Sequence, residues 1–157
     1  MPPLMSAVLE ENRVTKGSYV LLLRLTHGRS IKIGCLRDTY FPAGHYAYVG
    51  SAMGGLKPRI KRHLVKDKQV RWHIDYLRKE AAVSGVIVCE SEERTECAIA
   101  RGLALRLREI PGFGASDCRC PSHLFFATDE EQMRTFVLTT LNALPVKKRV
   151  VQLNSQE

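Results

Sequence analysis

The sequence predicts a single α+β domain, and three observations lead there. Strand-like runs come first, at 18–25, 30–33 and 45–50, and helical spacing follows with further strands mixed in, the order of an α+β layer and not of alternating parallel units. The chain of 157 residues is long enough for one domain with its own core. Its apolar fraction of 45% and charged fraction of 25% are those of an ordinary globular protein.

Each element has a local reason. Ser18 to Leu25 is a leucine-rich run bounded by Gly17 and by His27-Gly28, the pattern of a buried strand. Ser30 to Ile33 makes a short partner strand after that turn. His45 to Gly50 alternates around Tyr46 and Tyr48 behind Phe41-Pro42-Ala43-Gly44, a turn-like lead-in. Leu56, Ile60 and Leu64 recur at helical spacing, which predicts a helix over 56–66 with Pro58 in its first turn. Trp72 to Lys79 reads as a second short helix and Val83 to Cys89 as a strand. Glu93 to Glu109 reads as a longer helix stopped by Pro111-Gly112, followed by a strand at 123–127 and a closing helix at 130–144. Residues 1–15 are expected to be an N-terminal extension, 16–145 the folded domain, and 146–157 a basic tail carrying Lys147-Lys148-Arg149.

Composition narrows the function classes. No apolar run approaches the roughly 18 residues needed to span a bilayer. Met1 to Arg13 lacks the basic and apolar regions of a secretory signal, so a cytoplasmic protein is expected. Five cysteines, odd in number and irregularly spaced, argue against a disulfide framework. Of the net charge of +8, six units fall within Ser51 to Glu80, where nine Lys/Arg face three Asp/Glu. Clustered cations that pair with phosphates release condensed counterions, so this stretch is a candidate nucleic-acid footprint; the competing reading is a solvated basic surface. No basic segment carries the bulky apolar face that a membrane-surface role requires.

Three features carry possible chemistry. On the 93–109 helix, Glu96 falls near the middle of the stripe made by Ile99, Ala100, Leu103, Leu107 and Ile110. A carboxylate there needs a cation, a metal or a hydrogen-bond donor; alternatively it sits partly exposed in the first helical turn and favours the macrodipole. Arg59 and His63 lie four apart on one helix face, where a guanidinium beside an imidazole can hold a phosphate and move a proton. Read singly, they would be an ordinary basic face with an incidental histidine. Tyr19 and Tyr48 stand on strands next to glycines, positions that more often serve packing than chemistry.

Taken together, Gly17-Ser18-Tyr19, Tyr48-Val49-Gly50, Arg59 with His63, and Glu96 closely resemble the GIY-YIG nuclease superfamily. The run Phe41 to Ala52 resembles the second motif of one branch, the small Uri-type endonucleases. Arg62-His63, Trp72 to Leu77, Glu96-Cys97, Phe113 to Cys120 and Ser122 to Phe125 resemble further markers of that branch. The likeness runs from about Lys16 to about Ala127, and several ordered motifs are far more specific than one tripeptide. There are departures: Ser18 stands where isoleucine is usual, Val49 replaces isoleucine, Ser51 stands where some relatives have lysine, and Gly54-Gly55 lengthens the loop before Arg59.

The resemblance implies a small, mostly antiparallel sheet flanked by helices and an endonuclease that hydrolyses phosphodiester bonds, with DNA as the expected partner, as in DNA repair. It implies that Glu96 binds one Mg²⁺ or Mn²⁺ and that Arg59 stabilises charge on the phosphate. Tyr19 or Tyr48 would take a proton from the attacking water, with His63 holding that tyrosine or relaying the proton and His73 a second candidate at the site. Lys57, Lys61, Arg62 and Lys66 are the expected nucleic-acid contacts. A catalytically inactive nucleic-acid-binding module on the same scaffold is the alternative, and a protein-partner module a third class.

Cys118-x-Cys120-x-x-His123 invites a zinc reading, but its spacing is tighter than in most structural zinc sites and no fourth ligand adjoins it. His73 or Cys97 could supply one; buried thiols beside a hydrogen-bonded histidine is the simpler expectation. Ser116 and Asp117 are candidates for the substrate rim, and Trp72 for the core.

Overall fold

A computed structural model describes residues 15–34, 36, 38–115 and 118–152. Cys35, Ser116, Asp117 and the expected N-terminal extension apart from Thr15 lie outside the described residues. The elements in chain order are β1 (Gly17–Leu25), β2 (Arg29–Lys32), β3 (Asp38–Phe41), β4 (Gly44–Ala52), α1 (Leu56–Leu64), α2 (His73–Arg78), β5 (Ala82–Glu90), α3 (Glu96–Ala104), β6 (Arg108–Glu109), β7 (Leu124–Ala127), α4 (Glu130–Asn142) and β8 (Lys147–Gln152). Six strands form one antiparallel sheet in the order β6-β7-β4-β1-β5-β8, and β2 and β3 form a separate hairpin. The α+β expectation holds.

β1 is central, and its alternation builds a core on each face of the sheet. Tyr19, Leu21, Leu23 and Leu25 join Tyr46, Leu56, Ile60, Ile74 and Leu77 in one apolar cluster. Val20 and Leu22 join Val49, Ile87, Ile99, Leu103, Val137 and Leu141 in the other. A strand covered on both sides reads as a continuous apolar run, which is why 18–25 stood out.

Three expectations need correction. The helix assigned to 93–109 is only Glu96–Ala104. The helix is capped at Leu105, so Leu107 is buried by the turn into β6 and not by helix. Residues 147–152 are not a tail: β8 pairs with β5 from Glu90↔Lys147 to Gly85↔Gln152. A third strand, β3, occupies 38–41, where Phe41-Pro42 read only as a turn.

Candidate functional site

The site forms at the end of the sheet where β1 begins and β4 finishes, with Ser18 opposite Ser51. Tyr19 lies across from Gly50, and a Cβ on Gly50 would overlap the phenol ring and hydroxyl, so glycine is what lets Tyr19 lie flat over β4. The Tyr19 and Tyr48 ring centroids are 6.4 Å apart. The Tyr19 hydroxyl is 2.6 Å from His63 Nε2 on α1, a buried hydrogen bond, and His63 Nδ1 has no partner.

Burial dominates the electrostatics of this trio. It raises the Tyr19 phenol well above its ordinary value, opposed mainly by the Arg59 charge, and it raises Tyr48 as well. Burial, helped by the Lys68 charge, pushes His63 down to about 3, so its imidazole is neutral at physiological pH.

Arg59 is held in one orientation. Its Nη1 donates to the Ser51 carbonyl at 2.8 Å, and its guanidinium lies 4.4 Å from the Trp72 ring centroid. Arg62 lies at a similar 4.5 Å from Trp72, but its two terminal nitrogens donate to Asp75 at 3.0 and 2.8 Å. Asp75 is fully buried and also accepts from the backbone N–H groups of Arg71 and Trp72, anchoring the start of α2. Burial works to raise the Asp75 carboxyl, but those two N–H groups and Arg62 outweigh it and hold the group below the usual carboxylate range.

α3 reaches the same place through a hydroxyl pair. Ser18 and Thr95, the residue before the helix, share a 2.9 Å hydrogen bond. Ser18 thus ties β1 to the N-terminus that presents Glu96. Glu96 is the first residue of α3 and not part of its buried stripe; its side chain is 23% exposed, and one carboxylate oxygen lies 3.5 Å from His123 Nδ1. The first-turn alternative weighed from the sequence describes its position.

The loop from β6 to β7 closes the other wall. Ile110 N–H donates to the Leu124 carbonyl, Gly112 to Pro121 and His123 to Phe113, so the loop continues the β6–β7 ladder as far as Phe113. Gly114, at φ +68°, donates its N–H to His73 Nδ1 at 2.9 Å. That bond leaves the His73 proton on Nε2, and burial lowers its pKa.

These parts surround an open cavity of about 620 Å³. Tyr48, Arg59, His73 and Glu96, four of the six expected catalytic residues, line it. Tyr19 and His63 do not line it; they are buried, and their rings lie 6.4 and 6.1 Å from that of Tyr48. Of the expected nucleic-acid contacts none lines it: Lys61 and Lys66 are exposed, Lys57 is half-buried, and Arg62 is paired with Asp75. The cations that do line the cavity besides Arg59 are Arg71 and Arg94. Arg71 lay within the flagged basic stretch, whereas Arg94 carried no signal beyond its place two residues before Glu96. Trp72 both packs on the core and lines the cavity.

Beside Glu96, Cys97, Cys118, Cys120 and His123 bring four ligand atoms within 4.8 Å of one another, a set that can hold a metal ion. Cys97 comes from α3, the other three from the loop ahead of β7. Burial and the neighbouring thiols push the Cys97 thiol up to about 12.

Among the described residues no helix is long and apolar enough to cross a membrane. No curated protein and no solved structure matches the chain. The family model for DUF123, a domain of unknown function, matches residues 18–146, most of the chain. The chain belongs to the DUF123 domain family.

Proposed function

We propose that this domain is a divalent-metal-dependent endonuclease that hydrolyses phosphodiester bonds in DNA, as its resemblance to the GIY-YIG nucleases implies. The observation that carries the reading is the shared cavity: residues from β4, α1, α2 and α3 that are far apart in sequence, Tyr48, Arg59, His73 and Glu96, line one open pocket with Arg71 and Arg94. A basic pocket with one carboxylate suits a phosphodiester.

Glu96 fits Mg²⁺ or Mn²⁺, which take one or two carboxylates and fill the remaining positions with water and phosphate oxygens. Such an ion supplies Lewis-acid stabilisation of phosphate charge and a more acidic bound water. Arg59, fixed by Ser51 and Trp72, places a planar donor fork where negative charge grows on the phosphate. His73, with Nδ1 occupied by Gly114, offers an Nε2–H to an oxygen of the substrate. Tyr48, the phenol that reaches the cavity, is the group we assign as base. Its burial opposes phenolate, so proton removal depends on the cations around it, Arg59 among them. Tyr19 and His63 form the buried pair behind it and hold its ring in place.

The test is cleavage of supercoiled and branched DNA with and without a chelator. Cleavage should require Mg²⁺ or Mn²⁺ and should fall by at least ~10²-fold in Glu96→Gln and in Arg59→Ala, the size expected when a group acting on the transition state is removed. Salt-sensitive DNA binding with no metal-dependent turnover would instead make the domain a binding module on this scaffold.

A further inference from the structure

We propose that Cys97, Cys118, Cys120 and His123 bind one zinc ion in a closed tetrahedral site forming a wall of the pocket. The proposal does not rest on the nuclease reading, since it concerns ligand atoms and not turnover.

The geometry is close to that of a filled site. Zinc bonds of ~2.3 Å to sulfur and ~2.0–2.1 Å to nitrogen, set tetrahedrally, separate ligand atoms by roughly 3.5–3.8 Å. Cys118 Sγ is 3.4 Å and Cys97 Sγ 4.0 Å from His123 Nε2, and all four ligand atoms lie within 4.8 Å of one another. Three thiols and an imidazole select zinc over the hard cations that prefer oxygen ligands. Four protein ligands fill the coordination shell, so the ion is structural and has no open position for water.

The setting of each ligand points the same way. Cys89 shows what a packing cysteine looks like here: it is wholly buried in the aliphatic core. Cys97, Cys118 and Cys120 are only partly buried, and Cys118 and Cys97 turn towards one imidazole nitrogen. His123 is 3% exposed, with Nε2 facing the sulfurs and Nδ1 facing the Glu96 carboxylate. A metal-bound histidine is commonly oriented by a carboxylate on its far nitrogen in this way. The His123 backbone is pinned on both sides, by the Val49 N–H and by the Phe113 carbonyl. Binding would displace the three thiol protons to solvent and cross-link α3 to the loop ahead of β7.

The experiment uses the full chain, untagged and prepared without chelators. Metal analysis should find one zinc per chain. A chromogenic zinc indicator should report one equivalent released when a mercurial blocks the thiols. Replacement by Co²⁺ should give the thiolate charge-transfer and intense ligand-field bands of a tetrahedral site. The double variant Cys118→Ser with Cys120→Ser should lose the ion. Glu96→Gln should retain it with affinity weakened by ~10–100-fold, the usual effect of removing such a carboxylate. Because Glu96→Gln is also a variant expected to lower cleavage by at least ~10²-fold, that loss with retained cobalt bands separates the two proposals. A metal-free parent protein, iron in place of zinc, a weak octahedral cobalt spectrum, or a disulfide among these cysteines under reducing conditions would each overturn the proposal. All four are read on the unmutated chain, so a variant that fails to fold leaves the test intact.

Discussion

The two faces of the sheet are built differently. The face under α3 and α4 is aliphatic: Val20, Leu22, Ile87, Ile99, Leu103, Val137 and Leu141 meet there, and buried Thr140 satisfies its hydroxyl on the Phe136 carbonyl of its own helix. The face under α1 and α2 contains Tyr19, Tyr46 and Tyr48 and encloses His63 and Asp75, both almost fully buried. Each of those polar groups costs desolvation energy, which hydrogen bonds offset at Asp75 but only in part at His63. On the first face the buried polar groups next to the cavity, Ser18 and His123, sit at the start of α3, while the second face carries His63 and Asp75 within its aromatic core, as functional surroundings often do.

The largest expected effect is on the polar face. Asp75→Ala removes the acceptor for Arg62, Arg71 and Trp72 and leaves a largely buried guanidinium without its counter-charge, with only the Gln69 carbonyl still accepting from it. It should cost about 3–5 kcal/mol in urea unfolding, and a loss below 1 kcal/mol would show that the pair is solvated in practice. Next comes pH. His63 is held near 3 when folded and titrates at 6.5 when free, so below pH 6.5 the unfolded chain binds the proton that the folded one refuses. Its stabilising contribution is therefore complete above that value and is lost as pH falls towards 3, at up to about 1.4 kcal/mol per pH unit. Comparing the slope with that of His63→Phe isolates this group, and equal slopes would remove it from the account. The smallest effect belongs to the aliphatic face: Ile87→Val should cost about 0.5–1.5 kcal/mol, with no change in pH slope and none in DNA cleavage.

How much of this was legible follows from how local each signal is. The leucines and valines of β1 and the Leu56-Ile60-Leu64 spacing of α1 need only their neighbours in sequence, and both elements are readable to within two residues of their bounds. α3 was overextended because Leu107 and Ile110 continue the helical period by coincidence while being buried in a turn and a loop. β8 was hidden because Lys147-Lys148-Arg149 has no apolar alternation; its strand state comes from pairing with β5. Tyr48, Arg59, His73 and Glu96 are identifiable as candidates only as a set, whereas the sequence offers either His73 or Cys97 as companion to Cys118, Cys120 and His123, and that it is Cys97 depends on a ladder that closes over the loop from β6 to β7. Spacing along the chain does not encode that closure.

The borders of the sheet bear on how copies of this molecule meet. β6 contributes two residues, and β8 opens with three consecutive cations. A rim so brief on one side, and so strongly like-charged on the other, offers a poor template for a foreign strand. Crowded molecules meeting rim to rim would press lysines together before any backbone ladder could start, which opposes runaway fibre growth in a protein rich in paired strands.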